Sequence, residues 1–145
     1  RIIGVSMTIS AEPTSTRGEE ENLQIVKNLL TSLLSADKEK ALGLINENFE
    51  MSLPVSVSPR PISGVVAFGK YVEAAAKVFA EGVIFEEIGA VSVGDTVVLE
   101  VKIIGRARSG RQYENLYVHW FELEAGKVSR WREYVDTKRA MELLS

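Results

Sequence analysis

The sequence predicts a single α+β domain in which helices come first and an antiparallel sheet follows. The first half of the chain places apolar residues at helical spacing, whereas four β-rich segments separated by glycine-containing breaks follow Gly82. A length of 145 residues, with 46% hydrophobic and 26% charged residues, suffices for one core but is short for two. Helices and strands that are segregated along the chain pack as a helical layer against one face of a sheet.

The helical part occupies residues 19–80. Leu23, Val26, Leu30 and Leu33 recur at three- and four-residue steps, which predicts an amphipathic helix over Glu19–Ser35. The polar residues that precede it are expected to form a flexible lead-in over 1–18, so we place the domain at 19–145. The further elements expected here are a helix over Asp37–Ile45, a strand over Phe49–Leu53, a proline-containing loop over Val55–Ser63 and a helix over Val65–Ala80.

The second part of the chain predicts a four-stranded meander, because each β-rich segment is joined to the next by a short turn. A short terminal helix or tail is expected over Thr137–Leu144. The predicted strands are Val83–Val93, Thr96–Arg108, Tyr113–Glu124 and Lys127–Val135.

Composition excludes several kinds of site. The 17 Lys+Arg and 20 Asp+Glu give a net charge of −3, which disfavours nucleic acid as a partner, and the basic cluster around Arg108 is interpreted as a solvated turn. The chain has no cysteine and one histidine, which rules out disulfides, thiolate nucleophiles and paired imidazoles. No metal site, cofactor, membrane span or secretory signal is indicated, so we expect a cytoplasmic, cofactor-free protein.

The turn at Ser109-Gly110 predicts the register of one hairpin. If Arg108 faces Arg111 across this turn, antiparallel pairing places Lys102 beside Tyr117. Alternate residues of a strand share a face, so Lys102 and the aromatic side chains of the next strand are expected on the same face.

The next turn extends this face. If Leu123 faces Lys127 across a turn with a glycine bulge, Glu133 lies opposite Tyr117. A slip of one residue in either turn would divide the set between both faces. The residues predicted to share the face are Glu100, Lys102, Tyr113, Asn115, Tyr117, His119, Trp131 and Glu133.

The opposite face of the predicted sheet is apolar. One interpretation makes it the core and leaves the polar face in water. The other makes the polar face the wall of a ligand cavity and buries the apolar face against a second copy of the chain, since large apolar patches are seldom exposed on monomers. The second interpretation predicts a homodimer through Leu99, Val101, Ile103, Leu116, Val118 and Trp120.

The end of the chain resembles the SnoaL-like proteins of the nuclear-transport-factor-like superfamily. The likeness lies in Ser109–Asn115, in Phe121–Val128, and in Trp131–Asp136, which reads Trp-Arg-Glu-Tyr-Val-Asp. It implies a cone-shaped barrel, a curved and mostly antiparallel sheet wrapped around about three N-terminal helices that encloses a pocket. Relatives include ketosteroid isomerases, scytalone dehydratase, polyketide cyclases and limonene-1,2-epoxide hydrolase, so the fold alone does not fix an activity.

The resemblance implies which residues of this chain occupy the site positions of family members. The Arg-x-Asp pair of limonene epoxide hydrolase corresponds to Glu100 and Lys102, and its second Asp corresponds to Glu133. The two residues that hold its nucleophilic water fall near Glu50 and Ser52. Only the last carboxylate is kept, which argues against epoxide hydrolysis. Glu133 and Tyr113 also resemble the acid–base pair of phenazine-pathway proteins with this fold.

The resemblance and the predicted face together indicate a cofactor-independent enzyme that performs acid–base chemistry on a hydrophobic, oxygenated molecule in a deep pocket. Its reaction is expected to be that of an isomerase, a cyclase, a dehydratase or an epoxide-hydrolase-like hydrolase. The alternative is a non-catalytic ligand-binding or interaction module, in which Glu133 is a structural carboxylate, Lys102 a solvated residue and His119 a hydrogen-bonded core residue. The residues expected to be catalytic are Glu133, Lys102 and Tyr117. The residues expected to contact ligand are Glu100, Tyr113, Asn115, His119, Trp131, Val135, Glu50 and Ser52.

Overall fold

A computed structural model describes residues 17–80 and 82–144, so the expected lead-in over 1–18 lies outside the described residues except for its last two. In the described part the elements follow the predicted order. The helices are α1 (Arg17–Leu34), α2 (Lys38–Leu42), α3 (Gly64–Ala75), α4 (Thr137–Met141) and a 3-10 turn at Glu142–Leu144. The strands are β1 (Ile45–Ser52), β2 (Ile62–Ser63), β3 (Ile84–Val93), β4 (Thr96–Arg106), β5 (Gln112–Glu124) and β6 (Lys127–Val135).

The six strands form one sheet in the order β2-β1-β6-β5-β4-β3. All neighbours are antiparallel except β1 and β6, which run parallel. Helix α1 buries Val26, Leu29, Leu30 and Leu33 and packs on β3, β4 and β6, while α3 packs on β1 and β2. The predicted α+β class, with helices covering one face of a mostly antiparallel sheet, is confirmed.

Two helices end earlier than predicted. The Asp37 side chain caps α2 by accepting a hydrogen bond from the Lys40 backbone, but the helix ends at Leu42, and β1 already begins at Ile45. Helix α3 ends at Ala75 because the following residues pair with the β4–β5 hairpin instead, with the Ala80 N–H donating to the Arg106 carbonyl at 2.8 Å. Strand β2 also lies within the predicted loop.

The predicted register of the β4–β5 hairpin is wrong by one residue. The loop contains three residues, because the Ala107 N–H donates to the Arg111 carbonyl and the Gly110 N–H donates to the Ala107 carbonyl, both at 2.8 Å. Gly110 takes a φ of 92°, the left-handed position of a three-residue hairpin loop. As a result Val101, rather than Lys102, pairs with Tyr117.

The β5–β6 hairpin also differs from the prediction, by two residues. Ala125 and Gly126 have φ values of 51° and 78°, as a tight two-residue turn requires, so Glu124 pairs with Lys127. A bulge at Ser129, whose hydroxyl donates to the Glu122 carbonyl at 3.1 Å, then shifts the register. Glu133 therefore pairs with His119 instead of Tyr117, and because the shift is even it stays on the predicted face.

The inner face of the sheet forms the core beneath the helices. Leu99, Val101 and Ile103 are at most 4% exposed there, so the prediction that they belong to an outer apolar patch is wrong. The one-residue register shift explains this exchange, because it moves every alternate residue of β4 to the other face. Beside them lies an aromatic cluster that consists of Phe49, Phe68, Phe121 and Trp131.

Candidate functional site

A cavity of about 1030 Å³ lies between the helices and the inner face of the sheet. Most of its lining is aliphatic, contributed by α1, by α3 and by the segment that follows α3. The polar side chains on the sheet side are Tyr117 and His119 from β5 and Glu133 from β6, with Tyr71 of α3 lining it as well. A largely apolar cavity with a few convergent polar groups is the usual form of a small-molecule site.

Glu133 is the one carboxylate among the described residues that line this cavity. No described residue forms a hydrogen bond or an ion pair with its carboxyl group, although neighbouring residues on β6 make both. Burial among apolar groups disfavours the charged form and raises the pKa of Glu133 to about 7. The carboxyl group can therefore accept or donate a proton near neutral pH.

Tyr117 lines the cavity, and its hydroxyl lies at the end of a hydrogen-bonded chain. Its oxygen lies 2.7 Å from the Tyr113 oxygen, which in turn accepts a hydrogen bond of 2.9 Å from the Asn115 amide. When the Tyr113 hydroxyl donates to Tyr117, the Tyr117 proton is free to point at a ligand. Burial raises the pKa of both phenols, so each stays a neutral donor.

His119 lies next to Glu133 on the neighbouring strand and is fully buried. The Trp131 indole donates to His119 Nδ1 at 2.9 Å, so the neutral ring carries its proton on Nε2. Burial lowers the pKa of His119 to about 3, which keeps the ring neutral. Nε2 has no hydrogen-bond partner among the described residues and is closed off in this structure, so the ring donates to a ligand in the adjoining cavity only after a small shift of the wall.

Tyr71 is a polar lining residue that the sequence interpretation did not find. On α3 it lies three residues after Phe68 and stacks on that ring at 6.2 Å between centroids, so in the sequence it belongs to an ordinary apolar helix stripe. Burial and, to a smaller extent, the nearby charge of Glu133 raise the pKa of Tyr71. Only the fold reveals that a helix and a sheet bring Tyr71 and Glu133 together.

Four of the predicted site residues lie outside the cavity. The register of β4 turns Glu100 and Lys102 to the outer face, where Lys102 Nζ is 4.0 Å from the carboxylate of Glu114, so their placement beside Tyr117 and His119 is wrong. Glu50 and Ser52 on β1 also do not line it, since Met51 between them is the residue that points into the core. Glu50 is held on the outside by Arg130 at 3.5 Å.

The other predicted residues lie on the inner face but behind the lining. Asn115 and Tyr113 support Tyr117, and Tyr113 also lines a second, smaller cavity of about 440 Å³ beside α4. Trp131 is fully buried and holds His119, and Val135 packs on the core. The predicted face is thus correct for β5 and β6 and wrong for β4.

Within residues 17–80 and 82–144, no three His, Cys, Asp or Glu side chains are arranged to hold a metal ion. The helices of the same part include none that is long and apolar enough to cross a membrane.

Comparison with known proteins places this geometry in a family. Three solved structures are similar in fold: a candidate SnoaL-like polyketide cyclase from Jannaschia sp. CCS1 (17% identity, 92% of this chain and 98% of that chain, TM-score 0.80), TerC co-crystallised with polyporic acid (19%, 86% and 98%, 0.73), and an LEH-like epoxide hydrolase from M. tuberculosis (16%, 86% and 90%, 0.66). No protein of curated function matches the sequence. The SnoaL-like domain matches residues 26–131, most of the chain. The chain therefore belongs to the SnoaL-like domain family and has its cone-shaped α+β fold.

Proposed function

We propose that this protein is a cofactor-independent enzyme that moves a proton on a hydrophobic, oxygen-containing small molecule, with Glu133 as the acid–base. The observation that carries the proposal is the Glu133 carboxyl group, which lines a mostly apolar cavity without a hydrogen bond or ion pair from any described residue. A purely structural carboxylate would be expected to have such a partner.

The surrounding groups suit a substrate oxygen. Tyr117 supplies a neutral O–H donor and His119 a neutral N–H donor at the wall of the same cavity, and Tyr71 adds a second hydroxyl. In the proposed step Glu133 removes a proton from a C–H group, the electron pair moves toward the substrate oxygen, and these donors stabilise the negative charge that forms there. Return of the proton to another atom gives isomerisation, and attack of the carbanion on a second carbonyl gives cyclisation.

The family supports the small-molecule part of the proposal. One protein with this fold, TerC, was crystallised with polyporic acid, and others are described as a polyketide cyclase and an epoxide hydrolase. We do not propose epoxide hydrolysis, because Glu100 and Lys102, at the positions of the family's charged pair on β4, lie on the outer face of the sheet.

The reaction of 5-nitrobenzisoxazole tests Glu133 as a base without knowledge of the natural substrate. A base removes the C–H proton of the isoxazole ring, the N–O bond breaks, and a coloured cyanophenolate forms. We expect the wild-type rate to rise with pH through an apparent pKa near 7, since only the carboxylate form accepts a proton. Glu133→Gln should lower the rate by a factor of ~10²–10⁴.

A matched control is Glu100→Gln, which removes a carboxylate from the outer face of the adjacent region of the sheet and should leave the rate unchanged. Equal rates for wild type and folded Glu133→Gln would refute acid–base catalysis by Glu133. That result would instead support the alternative, a module that binds a ligand in the same cavity without reacting with it.

We also propose that the protein is a homodimer that associates through the outer face of the sheet. Leu116 and Trp120 of β5 and Tyr134 of β6 expose 52%, 37% and 55% of their surface there. This surface replaces the predicted one, of which only the β5 part lies outside.

A further inference from the structure

The mouth of the main cavity carries a positive charge that the proton-transfer proposal does not use. Arg108 lines this cavity and is itself exposed, so it lies where the cavity meets solvent. The buried lining residues, among them Ile103, Tyr117 and His119, mark the closed end. Among the described lining residues Arg108 is the one cation, and Glu133 is the one carboxyl group.

Backbone hydrogen bonds fix Arg108 at this position. Its N–H donates to the Val78 carbonyl at 3.2 Å, and the neighbouring Ala107 forms a β-bridge with Phe79. One guanidinium N–H donates to the Ala76 carbonyl at the end of α3, at 3.2 Å. Val78, Phe79 and Ala76 all line the cavity, so the hairpin tip is tied to its rim.

Arg108 is left with donors to spare. A guanidinium has five N–H groups, and no carboxylate of the described residues pairs with it, whereas Arg130 and Arg132 each form an ion pair. Its planar fork matches the two oxygens of a carboxylate. At the rim of an apolar cavity, the Arg108 guanidinium can therefore bind the charged group of an amphipathic anion.

We propose that the ligand is an amphipathic carboxylic acid, whose apolar body fills the cavity while its carboxylate binds Arg108 at the mouth. This proposal rests on the proposed function, because it takes the cavity that Glu133 lines as the ligand-binding site. A cavity of about 1030 Å³ is large enough for an apolar body the size of a medium acyl chain or several fused rings.

A competition assay tests the charge and the position together. N-phenyl-naphthylamine, a neutral fluorophore, is bound and then displaced by decanoate or by methyl decanoate, which has nearly the same apolar body without the charge. We expect Arg108→Gln to lower the affinity for decanoate about tenfold and the affinity for methyl decanoate by less than about twofold. Arg108→Lys, which keeps the charge and loses the fork, should fall between wild type and Arg108→Gln for decanoate.

Arg111→Gln is the matched control, since Arg111 is exposed on the same hairpin but does not line the main cavity. It should leave both affinities unchanged. If Arg108→Gln weakens both ligands equally, Arg108 only caps α3 and the proposal is wrong; if it changes neither, the proposal is also wrong. The assay measures equilibrium binding and requires no reaction at Glu133, so it can fail while proton transfer stands, and the reverse.

Discussion

At the scale of single residues, the site holds two titratable groups that burial shifts in opposite directions. Glu133 on β6 and His119 on β5 lie opposite each other in the sheet, but their side chains form no ion pair. Because desolvation penalises a charge of either sign, the acid is kept protonated to about pH 7 and the base is kept neutral down to about pH 3. Both groups are therefore uncharged below about pH 7, and above it Glu133 becomes the carboxylate that can accept a proton.

This arrangement predicts a pH dependence of stability. Folded Glu133 keeps its proton to about pH 7, whereas the unfolded group releases it near 4.5, so its contribution is full below about pH 4.5 and is lost as pH rises through 7. At 1.36 kcal/mol per pKa unit, the free energy of unfolding of Glu133→Gln should gain about 2–3 kcal/mol on wild type over this range. Urea unfolding at several pH values measures this difference.

The histidine gives the opposite sign and serves as the comparison. Folded His119 takes up a proton only near pH 3 and the unfolded group near 6.5, so its contribution is full above about pH 6.5 and is lost as pH falls toward 3. His119→Gln should therefore gain on wild type as pH is lowered. A difference between Glu133→Gln and wild type that stays constant from pH 4.5 to 7 would contradict the assigned burial of Glu133.

At the scale of elements, strand β4 packs tightly at Gly105 against Phe79 and Val83, which follow α3 in the sequence. A Cβ atom at Gly105 would lie 2.9 Å from Val83 Cγ2 and 3.3 Å from Phe79 Cδ1. Both neighbours line the cavity, so they have little room to move away without changing its wall. We expect Gly105→Ala to lower the free energy of unfolding by ~1–3 kcal/mol, the usual cost of overpacking.

Gly89→Ala on β3 is the control for this substitution, because a Cβ there would meet its nearest atom, Glu100 Oε1, at 3.9 Å. It should have little effect or stabilise slightly, since alanine loses less backbone entropy than glycine. Thermal unfolding of both variants compares them directly. If Gly105→Ala melts with wild type, the segment that forms the cavity rim is looser than its contacts indicate.

The hairpins explain what the sequence could and could not predict. Periodicity located α1, α3 and all four strands of the meander, because alternation and helical spacing are properties of a few neighbouring residues. Register depends on how many residues a turn uses, and Ser109-Gly110 fits a two-residue or a three-residue loop equally well. One residue of difference at the first turn moved Lys102 out of the site. Glu133 stayed in it, since the second turn and the bulge at Ser129 together shift the register by two residues.

Long-range contacts account for the remaining differences. Tyr71 and Arg108 reach the cavity through the packing of α3 and the bridge between Phe79 and Ala107, neither of which has a local sequence signal. Both residues look ordinary in the sequence, one in an apolar helix stripe and the other in a polar turn. The acid–base candidate on β6 was predictable because it interrupts an aromatic strand face and matches a family position.

At the scale of the whole molecule, the sheet has two different faces. Its inner face divides between a packed aromatic cluster and the cavity, and the ring of His119 lies between them, 5.5 Å from Trp131 and 5.6 Å from Tyr117 by centroid. Tight packing on one side therefore supports the polar groups on the other. A ligand at the closed end of the cavity meets side chains that the core holds in place.

The outer face carries the prediction of a dimer. Leu116 and Trp120 lie on β5 beside Tyr134 of β6, and Val91 of β3 lies on the same face two strands away from Trp120. All four are exposed, and Arg132 lies over the Trp120 ring at 5.3 Å. An exposed apolar patch with charged neighbours is typical of an interface between copies, and a sheet face can pair with itself about a twofold axis.

We expect wild type to sediment as a dimer in analytical ultracentrifugation. Leu116→Glu should sediment as a monomer, because the substitution places two like charges in a buried, self-complementary surface. Val66→Glu, which changes an equally apolar and 74% exposed residue of α3, should remain dimeric. A wild-type monomer at high micromolar concentration, or a Leu116→Glu variant as dimeric as wild type, would remove the outer face as the interface.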